Sequence, residues 1–114
     1  MSAPFDKVVQ GLLELLGPRL VAYLGEVRET RAVHEWASGQ RSPKDPEIET
    51  RLRVADQAAR LLNGRDTAGV VQAWFQGLNP KLNDRSPARL LVEEPLAVSG
   101  AMVLSAARAF AAVG

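Results

Sequence analysis

The sequence predicts an all-α protein of about seven helices, and three observations carry that prediction. Apolar residues recur at helical spacing in one segment after another. The apolar fraction, 46% of 114 residues, is built from Ala, Leu and Val, with only two Trp, one Tyr and three Phe. Ala and Leu are the strongest helix formers, so this bias favours helices over strands. Glycines and prolines punctuate the segments, and none alternates apolar and polar residues for long enough to read as a strand.

Each element has its own signal. Ser2 is a candidate cap for a first helix, and Pro4 is tolerated in its opening turn. Phe5, Val8, Val9, Leu12, Leu13 and Leu16 then form an apolar stripe. Gly17-Pro18 closes that helix and opens a short second one, with Leu20, Val21 and Leu24 facing inward and Gly25 at its end. A third helix follows a polar turn. Thr30 is its candidate cap, Val33 and Trp36 are its apolar positions, and it runs to about Ser38, with Gly39 as the stop.

Asp45-Pro46-Glu47 is the plainest helix start in the chain: a capping carboxylate, a proline at the first position and an acid in the first turn. Ile48, Leu52, Ala55, Ala59 and Leu62 form the ladder of the long helix it opens, which ends at Asn63-Gly64. Asp66 is the expected cap of a fifth helix carrying Val70, Val71, Trp74 and Phe75. A turn-rich loop leads to Ser86-Pro87, which opens a short helix through Leu91. Pro95 opens the last helix, with Leu96, Val98, Met102, Val103, Ala106 and Phe110 as its expected buried face.

Composition also narrows the chemistry. The absence of cysteine removes disulfides, thiolate zinc sites and thiol nucleophiles, and fits a cytoplasmic protein. The N-terminus lacks a signal peptide's basic region, and no run of 18 apolar residues exists, so no membrane partner is expected. His34 stands alone, which excludes the paired imidazoles of most metal sites and weakens any catalytic triad. Glu93-Glu94 reads as a solvated pair before Pro95 rather than an acid–base couple. Asp56, Asp66 and Asp84 are too dispersed for a calcium loop, and no Gly-rich phosphate loop is present. The residues point to a binding protein with no cofactor rather than to an enzyme.

Residues 18–24 and 30–38 have the organisation of a helix-turn-helix. Its second helix exposes Arg31, His34 and Glu35, while Arg28, Arg41 and Lys44 lie where they could meet phosphates. Between residues 28 and 44, four basic residues stand against two acidic ones, a local charge of only +2. The other reading of the same pattern is an ordinary helical corner with solvated arginines, and the spacing leaves both open.

Two stretches resemble a known family. Val33-His34-Glu35-Trp36-Ala37-Ser38-Gly39-Gln40-Arg41-Ser42-Pro43 resembles the end of the Xre-type helix-turn-helix, where a Trp and then Gly-x-x-x-Pro follow the recognition helix. The preceding turn is slightly longer than in the common repressor pattern. Ala73-Trp74-Phe75, then Asn79-Pro80-Lys81-Leu82, then Ser86-Pro87-Ala88-Arg89-Leu90-Leu91, is similar to the toxin-binding domain of the MbcA/ParS/Xre antitoxin family.

The resemblance implies a helical region with the helix-turn-helix over residues 1–63 and a toxin-binding domain over residues 64–114. It implies an antitoxin that holds and blocks an NAD-degrading toxin with a RES domain and, as a dimer or larger complex, represses its own operon. A free-standing helix-turn-helix transcriptional regulator is the alternative. By position in the family pattern, Arg108, Phe110, Val113 and Gly114 would lie nearest the toxin. Trp74 and Phe75 are adjacent, so one is expected in the core and the other at an interface. Operator DNA would meet Arg28, Arg31, His34, Arg41 and Lys44, weakly for the isolated chain.

Overall fold

The computed structural model describes residues 3–113, so the cap assigned to Ser2 and the partner role assigned to Gly114 lie outside the described residues. Seven α-helices follow one another: α1 (Phe5–Leu16), α2 (Pro18–Leu24), α3 (Thr30–Ala37), α4 (Pro46–Asn63), α5 (Ala68–Gln76), α6 (Pro87–Glu93) and α7 (Leu96–Ala112). A 3-10 turn, Pro80–Leu82, interrupts the loop between α5 and α6. The only β-type pairing among the described residues is an isolated bridge between Asn79 and Arg85. The all-α expectation holds.

Local signals explain most of the helix ends. The Asp45 side chain accepts the Glu47 N–H at 2.9 Å, and Ser86 Oγ accepts the Arg89 N–H at 3.2 Å. Each satisfies one of the amides that a helix start leaves without an internal partner. Two caps fall one residue away from their expected place. Glu29, with no side-chain bond, precedes α3, so Thr30 is the first helical residue. Thr67 rather than Asp66 caps α5, its hydroxyl accepting the Val70 N–H at 3.4 Å. At the end of α3, Gln40 N–H bonds to Glu35 O at 3.0 Å and Gly39 N–H to Trp36 O at 3.2 Å. That paired closure turns on Gly39 at φ 81°, a left-handed conformation that glycine adopts without strain.

One core runs through the whole chain, joining Val9 and Leu12 of α1, Leu24 of α2 and Leu52 of α4 to Phe75 of α5, Leu90 of α6 and Val103 of α7. Helix α4 packs on α7 more extensively than any other pair and also meets α1, α2 and α5. Residues on both sides of positions 63 and 64 share this core. Small residues make this packing possible: Ala55, Ala58 and Ala59 of α4 are fully buried. The α7 face differs from expectation in the same way. Ser99, Gly100, Val103, Ala106 and Ala107 are the residues it buries, whereas Val98 and Phe110 are exposed. Close approach of two helix backbones selects side chains by size, and hydrophobicity alone does not report that.

The corner between α2 and α3 is locked from two sides. The Trp36 indole lies so close over Gly25 that an added Cβ would sit 2.6 Å from Cζ3 and 2.8 Å from Cη2. Gly25 itself has an ordinary right-handed backbone, and the left-handed residue is Glu26, at φ 56°. From α4, the buried Arg51 donates to Leu24 O at 2.9 Å and to Glu26 Oε2 at 2.8 Å. It thus satisfies a carbonyl left free at the end of α2 and pairs with the residue that turns the chain. Gln10 of α1 reaches the other end of the corner, its amide donating to Ala37 O at 2.7 Å.

A contrast between two glycines tests this packing. Gly25→Ala forces a methyl group into the indole and is expected to destabilise by about 1–3 kcal/mol. Gly64, at φ −60°, has room for a methyl group, whose nearest neighbours would lie 3.7 Å away. Gly64→Ala is expected to stabilise by up to about 1 kcal/mol by restricting the unfolded chain. Urea unfolding of both variants measures the difference, and equal effects would contradict the close approach at Gly25.

Candidate functional site

Of the residues expected to meet DNA, Arg28, Arg31 and His34 lie on the corner and α3, Arg41 reaches α3 through Glu35, and Lys44 directly precedes the Asp45 cap of α4. Arg28, Arg31, His34, Arg41 and Lys44 are all exposed, while Val33 and Trp36 hold α3 to the core. Glu35 changes the electrostatics of this face. Its carboxylate, largely covered rather than exposed as expected, lies 3.7 Å from Arg31 Nε and 2.9 Å from Arg41 Nη1. One acid therefore offsets two of the four cations. Arg31 remains 82% exposed despite the pair, so its guanidinium is still presented outward from α3. Arg28 and Lys44 have no ion-pair partner among the described residues.

Arg19 and Tyr23 extend the corner along α2. Together with Arg28 and the first residues of α3 they line a shallow hollow. The Tyr23 hydroxyl is held above its usual pKa, first by partial burial and then by the nearby Glu93 carboxylate. It therefore stays protonated across the physiological range and acts as a neutral hydrogen-bonding group. Nothing in the sequence pattern singled out Arg19 or Tyr23, because each reads as an ordinary outward residue of a short helix.

The second candidate surface is the C-terminal end of α7. Phe110 and Val113 are exposed there; Arg108, also exposed, lies on the side of α7 that faces Gln57 and Leu61 of α4. Trp74 supports this end from α5: its ring lies 6.5 Å from Phe110, tilted, and 5.2 Å from Phe75, edge-on. Arg65, just beyond α4, donates to Ala111 O at 3.0 Å and so satisfies one of the last carbonyls of α7.

Trp74 and Phe75 correct the expectation that one of them is exposed. Phe75 is fully buried and Trp74 is 8% exposed. Helix α5 is covered by α1, α4 and α6, so side chains pointing in different directions from it both meet protein. Phe75 therefore has no surface to offer a partner, and Trp74 acts through Phe110. The Trp74 indole N–H is buried with no acceptor among the described residues, so its contribution is packing.

Among the described residues, no cluster of three or more His, Cys, Asp and Glu side chains could hold a metal ion. No helix there is long and apolar enough to cross a membrane. Comparison with protein-family models, with curated proteins and with solved structures found no match for this chain.

The two aromatics at the α7 end are expected to behave differently. Trp74→Ala removes a buried ring and should cost about 3–5 kcal/mol of stability. Phe110→Ala, at the surface, should cost less than about 1 kcal/mol. Equilibrium denaturation measures both, and a large loss at Phe110 would mean that its ring is structural rather than available for binding.

Proposed function

We propose that this chain is the antitoxin of a bacterial type II toxin–antitoxin pair, working in the cytoplasm by holding and blocking an NAD-degrading RES-domain toxin. The reading is that of a binding protein without a catalytic step of its own. The observation that supports it best is the end of α7, where Phe110 is 41% and Val113 68% exposed. An exposed aromatic ring is the kind of side chain favoured at the centre of protein interfaces. Trp74 and Arg65 hold this end in place before any partner arrives, which lowers the ordering cost of binding.

The test is co-expression with a RES-domain toxin, followed by size exclusion and an NAD-consumption assay. A stable complex with silenced NAD loss is the expected outcome. Phe110→Asp should weaken inhibition by tenfold or more, about 1.4 kcal/mol or above, without unfolding the chain. Absence of any complex would favour the second reading.

That second reading is a helix-turn-helix transcriptional regulator, and it also supplies the operon-repressing role of an antitoxin. The exposed Arg31 on α3 favours it, since an arginine on a recognition helix pairs well with guanine. Glu35 works against it by offsetting Arg31 and Arg41. Affinity for duplex DNA is therefore expected to be weak and salt-sensitive in the isolated protein. Glu35→Gln should strengthen it by about three- to tenfold at low salt, and Arg31→Ala should weaken it. Fluorescence anisotropy with a labelled duplex reads both effects. Indifference to both substitutions would remove the corner from consideration as a DNA-binding surface.

A further inference from the structure

The outer side of the α4–α7 pair carries a groove that shares only Arg108 with the two surfaces described above. The two helices run parallel: Pro46 and Glu47 lie beside Leu96 and Ala97 at one end, and Arg65 meets Ala111 at the other. Between those ends the groove is floored by Val54 and Gly100, whose added Cβ would meet Val54 at 3.6 Å. It then continues past Leu104 to Leu61, Gln57 and Arg108. Leu61 is 38% exposed, an uncovered leucine in the wall of an apolar trough.

The charges at its ends are opposite. The α4 start is acidic, with Asp45, Glu47 and Glu49 in one turn. The far end is basic, with Arg60, Arg65 and Arg108. Two of these groups are already engaged, Glu49 with Arg53 at 3.3 Å and Arg60 with Asp56 at 3.1 Å. Glu47 and Arg108, at opposite ends of the same groove, have no ion-pair partner among the described residues.

We propose that this groove is the interface of a two-fold symmetric dimer, filled by the α4–α7 pair of a second copy lying antiparallel to it. A two-fold axis near Val54 sets the acidic end of each copy against the basic end of the other. The contact between Glu47 and the opposite copy's basic end then occurs twice, once in each half of the interface, as isologous symmetry requires. A parallel arrangement would instead set acid against acid and is disfavoured by the same charges. Residues 47 to 61 of α4 span about 21 Å at 1.5 Å per residue, long enough for the apolar floor to separate the two charged ends. The proposal stands apart from the antitoxin reading, because it needs only this chain. It leaves Phe110 and Val113 at the end of the interface, so that Arg108 is the one residue the two surfaces share.

Sedimentation equilibrium of the isolated chain tests it. The wild-type protein should form a dimer. Glu47→Arg and Arg108→Glu should each weaken that dimer by about ten- to a hundredfold, because each creates like-charge contacts in both halves. The double variant carrying both changes exchanges the signs and should regain most of the wild-type affinity. Leu61→Glu, at an exposed position that the fold does not need, should abolish the dimer while leaving the far-ultraviolet circular dichroism unchanged. A wild-type chain that stays monomeric overturns the proposal. So does a dimer indifferent to these variants, or a double variant no better than the single ones.

Discussion

Helix α4 meets four other helices, and the side chains along it are chosen by that demand. Ala55, Ala58 and Ala59 are fully buried, while Ile48, Leu52 and Leu62 fill the spaces between the turns. Fully burying one such large aliphatic side chain contributes about 1.5–3 kcal/mol. The alanines contribute little area of their own. They let α1, α5 and α7 come near enough for their larger residues to meet. A larger side chain at any of these alanines would have to push a helix away, because protein interiors are close-packed and have no spare volume.

The same helix fixes the α2–α3 corner through Arg51. A buried guanidinium is tolerable only when it is paired and hydrogen-bonded. Here Leu24 O and Glu26 both accept from Nη1, while Nε is buried with no acceptor among the described residues, and the turn acquires an anchor in the core. The direction in which α3 points is thus set from α4 and, through Gln10, from α1. At the opposite end of α4, Arg65 holds the tip of α7. Both candidate surfaces are mounted on one scaffold, with basic side chains at its two ends reaching out to a backbone carbonyl. Surface ion pairs such as Arg89 with Glu93 add little by comparison, since both partners are largely solvated.

Much of the fold was legible because helix signals are short-range. Asp45-Pro46-Glu47 and Ser86-Pro87 mark helix starts within three residues, and the structure places both as read. Asp66 and Thr67 are neighbours that can both cap, so sequence could not choose between them; the bond is made by Thr67. Long-range facts were hidden. Arg51 looks like any solvated residue on a helix until Leu24 O is found beside it. Gly25 reads as a helix stop, yet its backbone is helical and its real constraint is a ring eleven residues away. On α7, Val103 and Ala106 are buried as read, but Val98 and Phe110 are exposed and the small Ser99, Gly100 and Ala107 are buried in their place. Of the candidate sites, the exposure of the corner cations followed from spacing, whereas Phe110 reads as a buried residue of α7 and is exposed. The pairing of Glu35 with two arginines did not follow from spacing, because Arg41 reaches it from beyond the helix end.

One core carries both surfaces, and the two tryptophans report on it from separate places. Trp36 lies under the corner and Trp74 under the α7 tip. Single-tryptophan variants, Trp36→Phe and Trp74→Phe, allow urea unfolding to be followed by fluorescence at one site and by circular dichroism across the whole chain. The account predicts coincident midpoints and slopes for the two probes within each variant, as one cooperative unit requires. A fluorescence transition that separates from the circular dichroism transition in either variant would mean that the corner and the C-terminal half unfold independently, and would contradict it.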